Sequence, residues 1–207
     1  MAFSYFPKAK SADLKCLDLG CGTGLHRPIC EHAGYKYVGV DYSSKQASLL
    51  AGAHALPFQD NSFDFVLSIA VLEHIQHPYV MTTEVKRVLK PGGRFIGTVS
   101  FLEPFHDRSY YHHTHIGVFN SLEVAGFDIV KIAPSDDWTG LVALATMHLF
   151  SSMPPAFVKV LVAPLNLAAK LWWGFKRFTK AEHYHPFDKK YDVLAATGAF
   201  AFVADKK

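Results

Sequence analysis

Three glycines at alternate positions, Gly20, Gly22 and Gly24, follow an apolar run from Leu14 to Leu19 that carries one acid, Asp18. Backbone without side chains can turn sharply there and approach a ligand closely. A helical stripe of Leu25, Ile29 and Ala33 then predicts a helix whose first N–H groups lack intrahelical partners and can meet a ligand carboxylate or hydroxyl. The pattern is that of a nucleotide-type cofactor site behind a buried parallel strand. A phosphate-cradling loop needs Lys and then Ser or Thr after its last glycine, and no Lys follows Gly24. A dinucleotide fingerprint needs its third glycine at position 25, which is Leu25.

A second carboxylate stands where a cofactor sugar would need it. Tyr37 to Asp41 reads as a second strand ending in an acid that can accept two hydrogen bonds from a ribose diol. Asp41 also suits a helix N-cap, a role that Ser43 and Ser44 share. Downstream come Ala53-His54-Ala55-Leu56-Pro57-Phe58, then Phe63-Asp64-Phe65-Val66, then Val71-Leu72-Glu73-His74. A helix stripe of Met81, Val85, Val88 and Leu89, opened by Pro78, stops at Pro91-Gly92-Gly93. Arg94 to Val99 reads as a fifth strand, Val118, Leu122 and Ala125 as a helix stopped by Gly126, and Phe127 to Ala133 as a sixth strand.

These ordered segments resemble the class I S-adenosylmethionine-dependent methyltransferases, in their small-molecule (methyltransferase type 11-like) branch, over residues 14 to about 133 and again from about 195 to 204. The resemblance implies an α/β fold: a Rossmann-like, doubly wound, mostly parallel sheet of seven strands. Its last strand, Ala195 to Ala204, would run antiparallel between strands five and six. It implies S-adenosyl-L-methionine as cofactor, held by Asp18, Gly20, Cys21, Gly22 and Gly24, by Asp41 and Tyr42 after strand two, by Ala53 and His54, and by Ala70 after strand four. Two departures stand out. The family usually carries an Asp that accepts from the adenine amino group where this chain has Gly52. The stretch from Asp41 to Pro57 has room for two helical turns, Ser44 to Leu50, and little or no third strand, so the sheet edge is expected to be trimmed.

Twelve histidines invite a metal hypothesis. His112, His113 and His115 cluster, and His183 and His185 flank Tyr184, but no His-Glu-x-x-His occurs and acids nearby are sparse, so no metal is assigned. An imidazole titrating near neutrality suits removal of an acceptor proton. His74, His106 and His113 are the candidates: the first follows strand four, and the other two lie in the loop after strand five.

At 207 residues with half of them hydrophobic, the chain suits one domain, residues 1–207, with a substantial core. A formal charge of +3 is too small to point to nucleic acid, and none is expected. Cys16, Cys21 and Cys30 lack Cys-x-x-Cys spacing and read as reduced thiols; with no signal-peptide pattern at the start, the expected location is cytoplasmic, peripheral to a membrane at most. Residues from about 134 to 192 form an insertion before the last strand. From Trp138 to Ala181 it has no Asp or Glu, while Lys159, Lys170, Lys176, Arg177 and Lys180 alternate with Phe, Leu and Trp residues. Lys159, Pro164 and Lys170 interrupt any membrane-spanning run. Residues 156–178 could instead pack on the sheet, form a homodimer face or lie on an anionic membrane. The expected reaction is methyl transfer to a small hydrophobic or amphipathic acceptor, at oxygen or carbon. The alternatives are a catalytically inactive cofactor-binding domain and a membrane-surface or partner-binding module.

Overall fold

The computed structural model describes residues 5–135, 138–176 and 196–207. His183, His185, Ala195 and the insertion from residue 177 onward therefore lie outside the described residues. Seven strands form one sheet in the order β3-β2-β1-β4-β5-β7-β6. They are β1 (Lys15–Leu19), β2 (Lys36–Asp41), β3 (Leu49–Leu50), β4 (Phe63–Ile69), β5 (Leu89–Ser100), β6 (Asp128–Pro134) and β7 (Ala199–Asp205). β1 to β5 pair in parallel. β7 runs antiparallel to both β5 and β6, between which it lies. The doubly wound sheet with an antiparallel last strand is thus as expected.

Among the described residues five α-helices accompany it: α1 (Arg27–His32), α2 (Pro78–Val88), α3 (His115–Val124), α4 (Gly140–Leu144) and α5 (Pro155–Lys176). α2 and α3 cover one face over Leu17, Val66, Phe95 and Phe202. On the other face, α1 and the segment from Tyr5 to Ala9 cover Cys16, Phe65, Leu67 and Ile96. Gly97 of β5 admits the Phe202 ring, because a Cβ there would stand 2.3 Å from its Cζ. The third cluster belongs to the insertion, where Val142 and Ala145 meet Val158 and Val162 of α5.

Two local expectations are corrected. Leu25 is not part of a helix stripe: it is 77% exposed, and α1 begins only at Arg27, with Pro28 in its first turn. Proline lacks the N–H that a first turn leaves unpaired, so it sets the start. Ser44 to Leu50 is not helical either. Asp41 accepts from the N–H groups of Ser43 and Ser44, the Ser44 hydroxyl donates to the Gly22 carbonyl, and Ser48 bonds Gly39 through both its N–H and its hydroxyl oxygen. Such local side-chain bonds compete with helix formation. The segment returns as the two-residue β3, paired at Val40–Leu49 and Asp41–Leu50, so the edge is indeed short.

Candidate functional site

The parallel strands end together on one side of the sheet, where ligands bind in open α/β folds. There the chain leaves β1 through Gly20, Gly22 and Gly24, with φ of 74°, 51° and 78°. Such left-handed backbone costs an L-residue roughly 1–2 kcal/mol, which glycine avoids. The three differ in surroundings. A Cβ on Gly20 would stand 2.3 Å from Val71 Cγ2, so this glycine lets the segment after β4 rest against the loop. Around Gly22 and Gly24 an added Cβ would meet nothing within 4 Å, which leaves open space over the loop.

Two carboxylates bracket this loop. Asp18 is fully buried in β1; its Oδ2 accepts from the Tyr37 hydroxyl at 2.9 Å and lies 3.8 Å from His26 Nδ1. Its Oδ1 is buried with no hydrogen-bond partner. Burial, and then the Asp18 charge, push the Tyr37 hydroxyl well above its usual range, and the same two causes raise the Cys21 thiol. Asp41 ends β2, its Oδ2 accepting from Gly22 N–H at 3.0 Å and its Oδ1 from the N–H groups of Ser43 and Ser44 at 2.9 Å each. Burial works to raise its pKa, but these N–H donors outweigh it and hold the carboxyl below its ordinary range. Asp41 thus ties the glycine loop to the end of β2, a structural task beyond either sequence-based role.

The remaining expected contacts surround that loop. Tyr42 is 84% exposed. Ala53 is buried, and His54 Nε2 accepts from His77 N–H at 3.2 Å. Gly52 has nothing within 4 Å of the position a Cβ would take. Glu84 and Arg87 of α2, which the sequence reading missed, pin this segment: Glu84 accepts from Leu56 N–H, and Arg87 donates to the carbonyls of Leu56 and Phe58. Their spacing of three on one helix was the available signal. Ala70 closes β4 with φ of 54°, a conformation uncommon outside glycine.

Beyond β4 the structure brings His74 and His106 together, their rings edge to face at 5.3 Å. His106 Nδ1 donates to the Pro104 carbonyl at 2.9 Å, and the His112 ring lies 6.1 Å from that of His106. His113 is buried instead, against Tyr111. Burial, and then the neighbouring His112, lower its pKa to about 4, so it is uncharged at neutral pH. The sequence reading also missed Glu73, which is fully buried and accepts from the Ser100 hydroxyl at 2.6 Å. Among the described residues, Glu73, His74 and His106 are the group that could hold a metal ion, with ligand atoms within 4.8 Å of one another. Ser100 also meets Glu103, which accepts from the Trp138 indole at 2.6 Å. Glu103 and His112 line a cavity of about 820 Å³ whose other walls include Phe101, Leu102, Leu141 and Ala169.

Comparison with known proteins shows what this part of the chain is similar to. Residues 17–97 match the family described as "Methyltransferase domain". Over that stretch the chain is similar to the class I S-adenosylmethionine-dependent methyltransferases. An uncharacterized methyltransferase of Mycobacterium leprae is 32% identical over 113 residues, 47% of this chain and 42% of that protein. A sterol 4-C-methyltransferase of Caenorhabditis elegans is 31% identical over 103 residues, 42% of this chain and 31% of that protein. The chain thus spans about half, or less, of the length of these curated relatives. Among solved structures, a geranyl diphosphate C-methyltransferase from Streptomyces coelicolor superposes with a TM-score of 0.63 at 13% identity, over 100% of this chain and 75% of that one. At that identity the likeness concerns the fold.

The family's cofactor, S-adenosylmethionine, fits the residues present. The unpartnered oxygen of Asp18 is an acceptor suited to the cofactor's ammonium group. The open faces of Gly22 and Gly24 leave room for its amino-acid tail, and Asp41 retains lone pairs for the ribose hydroxyls.

Proposed function

We propose that the chain transfers the methyl group of S-adenosylmethionine to a small hydrophobic or amphipathic acceptor, at oxygen or carbon. The carrying observation is the open glycine loop set between the orphaned Asp18 oxygen and Asp41. The cofactor supplies a methyl group already activated on a sulfonium. The chain therefore needs to align the acceptor and exclude water, and positioning alone can contribute roughly 7–11 kcal/mol. The acceptor's electron pair forms the new bond to the methyl carbon, while the carbon–sulfur pair stays with sulfur. His74, which follows the segment resting on Gly20, and His106, whose ring packs against it, are the imidazoles suited to receive the acceptor's proton.

The acceptor class rests on the cavity, whose walls at Phe101, Leu102, Pro104, Leu141, Leu144 and Ala169 are apolar. Two relatives in fold or sequence carry names with hydrophobic acceptors, a sterol and geranyl diphosphate. The test has two stages. Calorimetry with S-adenosylhomocysteine is expected to give one-to-one binding; absence of heat would sink the reading. Transfer of a labelled methyl group is then followed into phenolic, isoprenoid and lipid fractions. Binding without transfer to any of them favours the inactive cofactor-binding alternative, whose motivation is Gly52 and the shortened sheet edge. His74→Ala and His106→Ala are expected to lower turnover at saturating acceptor by about 10²-fold or more while leaving cofactor affinity unchanged.

A further inference from the structure

We propose that the outer face of α5 lies in the surface of an anionic lipid bilayer, and that the cavity under α4 and α5 takes the hydrocarbon part of an acceptor drawn from that bilayer. The second half rests on the methyl-transfer reading; the first stands without it.

α5 has 22 residues, so it is about 33 Å long. Its segment Pro155–Trp172 has a mean hydropathy of 1.2, yet only 11% of it is buried. Val158 and Val162 face α4, and from Pro155 to Trp172 nearly every other side chain is exposed. Phe157, Val160, Leu161, Leu165, Leu171 and Trp172 are each between 48% and 72% exposed. Leu149 and Met153, in the link from α4, extend the apolar character. Soluble monomers rarely leave such patches in water.

Charge selects what covers the patch. Lys159 and Lys170 are exposed on the same helix, and no Asp or Glu occurs from Trp138 to Ala181. A second copy placed face to face would bring like charges together without a compensating acid. Anionic headgroups attract those lysines, whose long stems reach past an apolar face to the headgroup level. Trp172 suits the same interfacial depth.

Packing argues for lying on the bilayer over crossing it. Along one side α5 is fastened to the domain, by Val158 and Val162, by the Thr139 hydroxyl donating to Asn166 Oδ1 at 2.9 Å, and by Ala169 at the cavity wall. A crossing helix would drag Asn166 and the cavity into hydrocarbon. Leu141 and Leu144 of α4 and Ala169 and Lys170 of α5 line the cavity, so in the surface orientation these walls are the ones that neighbour the lipid. The lining also includes His112, whose ring neighbours His106. An apolar chain can thus enter from the bilayer and leave its reactive end beside the histidine pair.

Flotation of the full chain with phosphatidylcholine vesicles, with and without phosphatidylglycerol, tests the first half. The expected result is flotation with the anionic vesicles, weakened by salt and extractable at alkaline pH. Leu161→Gln combined with Leu165→Gln should reduce the floated fraction at least tenfold, and Lys159→Gln with Lys170→Gln should remove the preference for phosphatidylglycerol. Both variants should bind S-adenosylhomocysteine as the wild type does, which certifies their fold. No flotation with either vesicle overturns the proposal, as does resistance to alkaline extraction, which marks a crossing helix. A dimer in solution that the leucine variant dissolves, without flotation, overturns it in favour of a second copy. For the cavity, Ala169→Trp should abolish the fluorescence gain of a dansylated long-chain alcohol; an unchanged gain refutes that half. Loss of S-adenosylhomocysteine binding in the wild type would instead refute the methyl-transfer reading and leave the flotation result standing.

Discussion

Replacing Asp41 by Asn keeps the shape of the side chain and removes its charge and one of its two acceptor ends. In the wild type, one oxygen takes Gly22 N–H at 3.0 Å and the other takes the N–H groups of Ser43 and Ser44 at 2.9 Å. An amide can satisfy only one of these sides; at the other, an NH2 group faces an N–H donor. Hydrogen bonds to charged groups contribute about 1.5–3 kcal/mol each. Because Asp41 is partly exposed, the loss of stability belongs at the low end, about 1.5 kcal/mol. For a chain of this size that lowers Tm by about 3–6 °C. The glycine loop loses its tether and, on the proposed reading of the site, the ribose loses an acceptor, so affinity for S-adenosylhomocysteine should fall about tenfold or more. The pH dependence has a definite sign. The folded carboxyl is held below its ordinary range, so its contribution is complete above the unfolded pKa of about 3.9 and is lost as pH falls through the lower folded value. The stability gap between wild type and variant should therefore be constant near neutrality and close in acid. Thermal unfolding across pH and calorimetry with S-adenosylhomocysteine read both effects. Unchanged Tm together with unchanged affinity would refute the idea that this carboxylate organises the loop.

Gly52→Asp introduces the acid that the family usually carries, at a position where an added side chain meets open space. Stability should change by no more than about 0.5 kcal/mol, and calorimetry should show S-adenosylhomocysteine binding about tenfold tighter; equal affinity means that backbone groups of Ala53 and His54 already serve the adenine. Gly20→Ala forces a Cβ against Val71 at a φ of 74° and should cost about 2–4 kcal/mol in denaturant unfolding. Gly24→Ala, with the same backbone demand but open surroundings, should cost only about 1–2 kcal/mol. Equal losses at the two positions would show that the contact with Val71 does not matter.

The sequence by itself determined most of the strands and the glycine loop that follows the first of them. Apolar runs broken by glycine or acid marked β1 and β2, and local patterns of that kind survive into the fold because burial and backbone freedom act on neighbours. Where several local signals competed, pattern reading failed. Leu25 matched a helix stripe that Pro28 overruled, and Ser44 to Leu50 matched a helix that the serine hydrogen bonds to Asp41, Gly22 and Gly39 replaced. Only the tertiary structure decided which distant groups meet. Glu73 and Ser100, His74 and His106, and Glu84 and Leu56 are separated by 27 residues or more, and no periodicity encodes their contact. The outward turn of the apolar face of α5 was equally invisible, since a stripe of leucines reads the same against a core or a membrane. The difference is whether another part of the chain is near enough to cover it, and that is settled by three-dimensional packing.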